Sequence, residues 1–502
     1  MLQHYFKVAL RNIRKHKFYS ILNILGLAFG LTACILIGLY IVDELNFDKF
    51  HKHYSDIYHV GLHVNFAAQE FKISSSCPPL ASAIVNNIPG VEQATRLNPW
   101  NNVVIKYEDK AFTEKKAFLA DSNFFEFFSF KLLEGDVKTV LKEPHTIVLT
   151  SASAVRYFGD QPAIGKIITV GKDNEAFKVT GVAEQAPANS HIQYDMLLSS
   201  GSDKIMQHGG WGDNNGVYTY YRKNPKTSIE SVELKLRNIV IQHVAPELEK
   251  GFGLTFAAFE KQGGIYSFFS YPLSSSHLYH PELNDGPTPG SDIRYIYIFV
   301  AVGFFILLIA CINFMNLSTA RSAGRAKEVG LRKTLGSIRS KLIVQFLMES
   351  LVYVVAAIVV AIGAIYFLLP AFNLISGKML LFGAMLSPLI LGSIAAIFLV
   401  VTLLAGSYPA FYLTSFNPID VLKGEVKAGM KSKGIRSTLV VVQFSISIAL
   451  IICTMVVFNQ LSYLQKKNIG LDKQNVLVIQ IQAGWEIIRM LSSNRLVTRR
   501  EY

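Results

Sequence analysis

Five apolar runs free of Asp, Glu, Lys and Arg punctuate the chain: Phe18 to Val42, Tyr295 to Ala320, Ser350 to Gly377, Met379 to Ile419 and Ser437 to Gln465. Each exceeds the ~18 residues at which an uncharged apolar helix becomes a candidate for crossing a bilayer. The fourth is longer than one crossing needs, and Pro388 and Pro409 are expected to bracket its membrane part. The pattern predicts spans over residues 18–42, 295–320, 350–369, 386–406 and 438–460.

Between the first two spans, residues 43–293 change pattern. Tyr58, Val60, Leu62 and Val64 alternate with other residues, the period of a strand. Pro78 to Ile88 reads as a helix stopped by Asn87-Ile88-Pro89-Gly90. Short β-rich runs follow at Val103–Tyr107, Ala117–Ala120, Thr146–Leu149, Ile167–Val170 and Phe177–Val182, separated by turn residues. The Gly/Ser/Asn-rich tracts Ser199 to Gly216 and Ser270 to Ser291 read as loops or a mobile insert. The predicted fold is an α-helical membrane protein of five spans with a large α+β extracytoplasmic domain between spans one and two.

Composition agrees. The 502 residues are 51% hydrophobic and 17% charged, against about 25% charged in soluble domains. The formal net charge of +13 is unevenly placed. Residues 1–17, 321–349 and 407–436 hold five, seven and five Lys/Arg, whereas residues 43–294 hold 24 against 29 Asp/Glu. Sign therefore alternates between successive segments, which puts the N-terminus and the basic segments in the cytoplasm. The excess sits beside spans without interleaved aromatics, which argues against a nucleic-acid partner. Residues 1–17 form an amphipathic entry helix, with Tyr5, Val8, Ala9 and Asn12 opposite a basic face, on the inner leaflet. The basic start resembles a signal peptide, but 25 apolar residues suit a retained span. Of four cysteines, Cys34, Cys311 and Cys453 lie in spans and Cys77 faces out, so no intrachain disulfide framework is expected.

The outer domain offers little chemistry. His51, His53, His59 and His63 invite a metal hypothesis, but no Cys or carboxylate set completes it, and structural histidines are the reading adopted. No G-x-S-x-G, H-E-x-x-H or G-x-x-x-x-G-K-[ST] occurs, so no catalytic, cofactor or metal residue is assigned.

The segment between spans two and three, RSAGRAKEVGLRKTLGSIRSKLIVQFLMES, is the most distinctive. Gly330 and Gly336 bracket Leu331 to Leu335, enough for one or two helical turns. From there Leu335, Ile338, Leu342 and Phe346 recur at helical spacing, which predicts one apolar face. Two readings stand: a basic loop that fixes orientation, or a docking element that passes force into the flanking spans. A mid-membrane Glu349 would cost ~2.5–3.5 kcal/mol, so it is expected at the inner interface or facing other helices.

Several runs resemble the MacB/FtsX-like permeases of ABC transporters. They are FKVALRN (Phe6 to Asn12), IPGVE (Ile88 to Glu92), FFSFKLLEGD (Phe127 to Asp136), IVLTSASAVRYFGDQPAIGKII (Ile147 to Ile168) and VTGVAEQAPANSH (Val179 to His191). RAKEVGLRKTLGSIRSKLIVQFLMES resembles the family's segment between spans two and three, and SYPAFYLTSFNPIDVLKGE (Ser407 to Glu425) the exit of the fourth. The resemblance implies a permease subunit in a bacterial inner membrane, dimeric or pseudo-dimeric, working with a separate P-loop ATPase. It implies no enzymatic activity and no cofactor in this chain. Substrate would be handled on the outer face. The family's coupling helix maps onto Glu328, Val329, Gly330, Leu331, Arg332, Lys333 and Leu335, with Glu328, Arg332 and Lys333 as the expected contacts to the ATPase. A receptor with an outer ligand-binding domain is the alternative.

The last span resembles a second copy of the first. Lys431, Lys433 and Arg436 precede it as Arg14, Lys15 and Lys17 precede span one, and Val476 in NVLVIQI aligns with Ile57. The expectation is a duplicated eight-span permease cut short, with residues 461–502 an extracytoplasmic stub; a five-span protein with an outer tail is the alternative.

Overall fold

In the computed structural model the described residues are 2–66, 69–211, 215–283, 285–320, 329–414 and 429–467. They divide into two compact units, one taking residues up to Leu45 and from Arg294 onward, the other Asn46–Ile293.

The second unit is built on a mixed sheet of thirteen strands among the described residues. Its path runs Ile265–Pro272, Ile57–Phe66, Tyr218–Lys223, Val91–Pro99, Ala117–Ala120, Met196–Ser199, Thr146–Thr150, Glu175–Ala183, Ile167–Val170, Val103–Tyr107 and Lys110–Glu114. Gln69–Ile73 pairs with Ile57–Phe66, and Leu132–Glu134 with Glu175–Ala183. Two pairings are parallel, Glu175–Ala183 with Thr146–Thr150 and Met196–Ser199 with Ala117–Ala120. Aromatic residues dominate one core cluster, where Phe118, Phe124, Phe127, Phe128 and Tyr220 pack with Ile57 and Leu97. Ile57, Val60 and Leu62 are buried, and so is His59, because this strand is covered on both faces.

The helix Leu80–Asn87 buries Leu80, Ala81, Ala83 and Ile84 and ends where Ile88 N–H donates to Ile84 O. Gly90 follows at φ +86, and a Cβ there would meet Thr227 Oγ1 at 2.0 Å, so the turn admits glycine alone. The Gly/Ser/Asn-rich tracts are more regular than expected. Ser270 to Pro272 close a strand, Leu273–Tyr279 is a helix, and Lys204–His208 is a helix capped by Asp203. Serine content misled here: Leu273 and Leu278 are buried and hold the helix to the core. Cys77 is buried as well, beside Leu80 and Tyr266.

Among the described residues the first unit holds the entry helix Leu2–Lys15 and five helices long and apolar enough to cross a membrane. These lie in Lys17–Leu45, Ile293–Ala320, Arg339–Ser376, Pro388–Thr414 and Gly429–Lys466, called the first to fifth spans below. The third is one 38-residue helix from Arg339, longer than its apolar run, ended by Gly377 in the left-handed conformation. Leu27, Ala28 and Leu31 of the first span pack with Val354, Ala357 and Ala361 of the third. At Gly30 a Cβ would come within 2.6 Å of Ala310 Cβ, the close approach that small residues allow between membrane helices. None of the fifth span's apolar window is buried. The proposed repeat at Val476 and the tail lie outside the described residues, as do residues 415–428.

Candidate functional site: the segment between the second and third spans

Residues 329–334 are helical. Gly336, at φ +88, ends the turn: its N–H donates to Lys333 O, and Ser337 N–H donates to Arg332 O. This double return of the chain is the Schellman arrangement, and it needs the left-handed residue that glycine supplies. Ile338 is extended, and the third span starts at Arg339. The helical spacing of Leu335, Ile338, Leu342 and Phe346 therefore runs across two helices. Gly336 breaks the expected single face, leaving Leu335 and Ile338 exposed (78% and 60%) while Leu342 and Phe346 are buried.

The candidate residues separate into roles. Val329 is buried with Leu342, Phe346 and Ala410, which seats the short helix against the third and fourth spans. Arg332 Nη1 donates to Gln345 Oε1 at 2.8 Å on the third span. Lys333 Nζ donates to Thr414 O at 2.7 Å at the end of the fourth, and Arg339 Nε reaches Thr414 Oγ1 at 3.4 Å. Partial burial, then the nearby Arg339 guanidinium, pulls the Lys333 pKa down. Gly330 is within the helix, and Leu331 is 54% exposed. Glu328 lies outside the described residues.

Arg332 and Lys333 thus reach back to their own chain, and Leu331, Leu335 and Ile338 are left exposed. Sequence reasoning missed the partners Gln345 and Thr414, which no local motif marks. Glu349 is buried and accepts from Asn12 Nδ2 of the entry helix, so it faces another helix.

The four histidines do not converge. His51 Nδ1 accepts from Ser129 N–H at 3.1 Å, and His53 is exposed. His59 Nδ1 shares a hydrogen bond with the Tyr271 hydroxyl at 2.7 Å, and His63 pairs with Glu70 at 2.8 Å. Burial lowers His51 to about 4 and holds His59 well below the usual imidazole range. No cluster of three or more His, Cys, Asp or Glu suited to a metal occurs among the described residues.

The chain matches the MacB-like periplasmic core domain over residues 20–257 and the FtsX-like permease C-terminal domain over residues 300–418. It is similar to the macrolide export ATP-binding/permease protein MacB of Bdellovibrio bacteriovorus, 25% identical over 363 residues, which cover 68% of this chain and 49% of that protein. The chain thus spans about half the length of this curated relative. Among solved structures, a domain of a putative permease from Porphyromonas gingivalis is 27% identical with a TM-score of 0.38, covering 44% of this chain and 91% of that one. The periplasmic region of MacB from Actinobacillus actinomycetemcomitans is 13% identical with a TM-score of 0.29, at the same coverages of 44% and 91%.

Proposed function

We propose that this chain, which belongs to the MacB/FtsX-like permeases, is the transmembrane permease subunit of an ABC transporter complex. A separate P-loop ATPase binds the segment 328–335, and ATP-driven movement passes into the spans and on to the 46–293 unit that two of them continue into. In this reading hydrolysis is assigned to the partner; the 502 residues themselves hold no G-x-x-x-x-G-K-[ST]. The charge distribution supports an N-terminus and basic segments in the cytoplasm of a bacterial cell, with the sheet-containing unit outside the inner membrane. The permease works as a dimer or pseudo-dimer.

One observation carries this reading. Leu331, Leu335 and Ile338 stand exposed on a capped turn whose basic side chains are hydrogen-bonded to the third and fourth spans. A partner pressing on these side chains would move both spans directly. Leu331 and Leu335 are then the contacts, while Arg332 and Lys333 transmit.

Copurification of an ABC ATPase with the full chain in lipid nanodiscs tests it. Leu331→Ser with Leu335→Ser should lower ATPase capture about tenfold or more, the effect of losing buried apolar anchors. Arg332→Ala should leave capture within about twofold while reducing permease-stimulated hydrolysis. Undiminished capture by the double variant overturns the docking role. Failure of the wild-type chain to capture any P-loop ATPase returns the receptor reading.

A further inference from the structure

On the third span, Gln345, Glu349, Tyr353, Ala357, Ala361, Ile365 and Leu369 fall every four residues, and all seven are buried. Residues so spaced stack as one ridge along a helix. Its first three members are polar, and each meets a different part of the chain. Gln345 Oε1 accepts from Arg332 of the coupling segment at 2.8 Å. Glu349 Oε1 accepts from Asn12 Nδ2 of the entry helix. The Tyr353 hydroxyl shares a hydrogen bond with Ser20 Oγ at the root of the first span, at 2.9 Å. Beside them a cavity of about 20 Å³, bounded by Tyr19, Phe314, Ser318 and Pro409, has room for about one water. Further along, Ala357 and Ala361 pack with Leu27, Ala28 and Leu31, and Ile365 and Leu369 with Ile35, Leu36 and Leu39, all of the first span.

The two halves of the ridge do different work. Alanines let helices approach closely but fix no register along the axis. Hydrogen bonds weaken steeply once distance and angle leave a narrow range, so they do fix register. A carboxyl beside a span is costly, and an apolar side chain would fill the space without that cost. We propose that Glu349 is a positioning residue of the coupling joint, locking the entry helix, and with it the first span, to the third span, so that a displacement of the coupling segment moves all three together. Arg332 hands the movement to Gln345, one turn before Glu349, and Ser20–Tyr353 repeats the lock one turn further on. This rests on the permease reading for its purpose, though the mechanical link stands on the contacts alone.

The test uses the full chain in nanodiscs, with and without the copurified ATPase. In the chain alone, Glu349→Leu should raise amide exchange over residues 6–15 about tenfold or more, the scale of losing a hydrogen bond to a charged group. Glu349→Gln keeps a carbonyl acceptor and should stay within about twofold of wild type. Asn12→Ala should reproduce Glu349→Leu, and the double variant should be no worse, because both remove one link. With ATPase present, Glu349→Leu should retain binding and lose most of the permease-stimulated hydrolysis, and Glu349→Gln should restore it. Wild-type exchange of the entry helix in both Glu349→Leu and Asn12→Ala, additive effects in the double variant, or full stimulation by Glu349→Leu each overturns the proposal. If the wild-type chain binds no ATPase, the permease reading fails, while the exchange measurements still decide whether the link exists.

Discussion

The two units bury polar groups in opposite ways. In the sheet-containing unit, Arg96, Asp121 and Glu114 are partly or fully buried and closed by several partners. Arg96 donates to both Asp121 oxygens at 2.9 Å and to the carbonyls of Pro78 and Met206, and Asp121 also receives the Ser200 hydroxyl. Glu114, 2% exposed, is held by Arg156 at 2.8 Å and by the Tyr157 hydroxyl. In the membrane unit the third span's ridge is apolar from Ala357 to Leu369, and its ion pairs and charge-bearing hydrogen bonds lie toward the helix ends. A domain in water can close a charge with nearby backbone and side chains at modest cost, whereas hydrocarbon penalises the same charge at mid-span. The sheet-containing unit is thus held by an internal mesh, and the membrane unit by dry seams pinned near their ends.

The most damaging break in that mesh is at Arg96. Arg96→Met keeps much of the apolar stem but leaves the partly buried Asp121 without its cation and two carbonyls without donors. Removing one partner of a fully buried pair costs about 3–5 kcal/mol, and because the Arg96 and Asp121 side chains keep 13% and 17% exposure the loss here should fall at the lower end, about 3 kcal/mol. Hydrogen exchange in the full chain should show that loss throughout the strands around Val91–Pro99 while the third span stays protected. A loss under about 1 kcal/mol would place Arg96 among exposed pairs, which contribute little.

A smaller break comes from acid. His51 sits among the rings of Phe50, Phe128 and Phe130, with centroids 4.0–5.1 Å away. Burial outweighs the attraction of Asp48, and the neighbouring His191 adds to the lowering, so His51 titrates at about 4. An unfolded imidazole titrates near ~6.5, so between these values the unfolded chain binds the extra proton. Stability should be level above about pH 6.5 and fall by up to about 3 kcal/mol toward pH 4. His51→Asn, which keeps an acceptor for Ser129 N–H, should flatten that slope in a thermal melt followed at the sheet-containing unit. An unchanged slope assigns the acid sensitivity to other groups.

Much of this was legible in the sequence, and the misses share a cause. Strands Val103–Tyr107, Ala117–Ala120 and Ile167–Val170 have the bounds that their flanking turn residues imply. Local pattern carries that information. It does not carry pairing, so the two parallel neighbours and the burial of His59 on a doubly covered strand could not be read. In the segment between the second and third spans, Gly330 and Gly336 marked a short turn, but periodicity ran Leu335 and Ile338 together with Leu342 and Phe346. Only the Gly336 reversal separates the exposed pair from the buried one. Arg332 and Lys333, expected from the resemblance to meet the ATPase, also have partners within the chain that no local pattern shows, because these are 13 and 81 residues away.

The smallest expected effect is at Lys378, which tests whether the pins at the two ends of the first and third spans act independently. Lys378 Nζ lies 2.9 Å from Asp43 Oδ2 and 2.6 Å from Glu44 Oε1, just past the end of the third span. Burial alone would pull its ammonium pKa down, but hydrogen bonds to Glu44 and Asp43 outweigh that, and the net shift is upward. A raised lysine contributes fully below its unfolded value near ~10.4 and loses the contribution only as pH climbs through the folded one. The clamp should therefore be level from pH 5 to 9, unlike the His51 region. Lys378→Met removes hydrogen bonds between charged groups worth about 1.5–3 kcal/mol, toward the lower figure because Lys378 and Asp43 keep an edge exposed although Glu44 is buried. Amide exchange should rise in the turn after Gly377, where Asn373 also bonds both backbone groups of Leu380. Residues 6–15 should exchange as in wild type, since their link runs through Glu349. If Lys378→Met also loosens the entry helix, the two ends respond as one element, and the division between pinned ends and a dry seam gives way to a single cooperative helix pair.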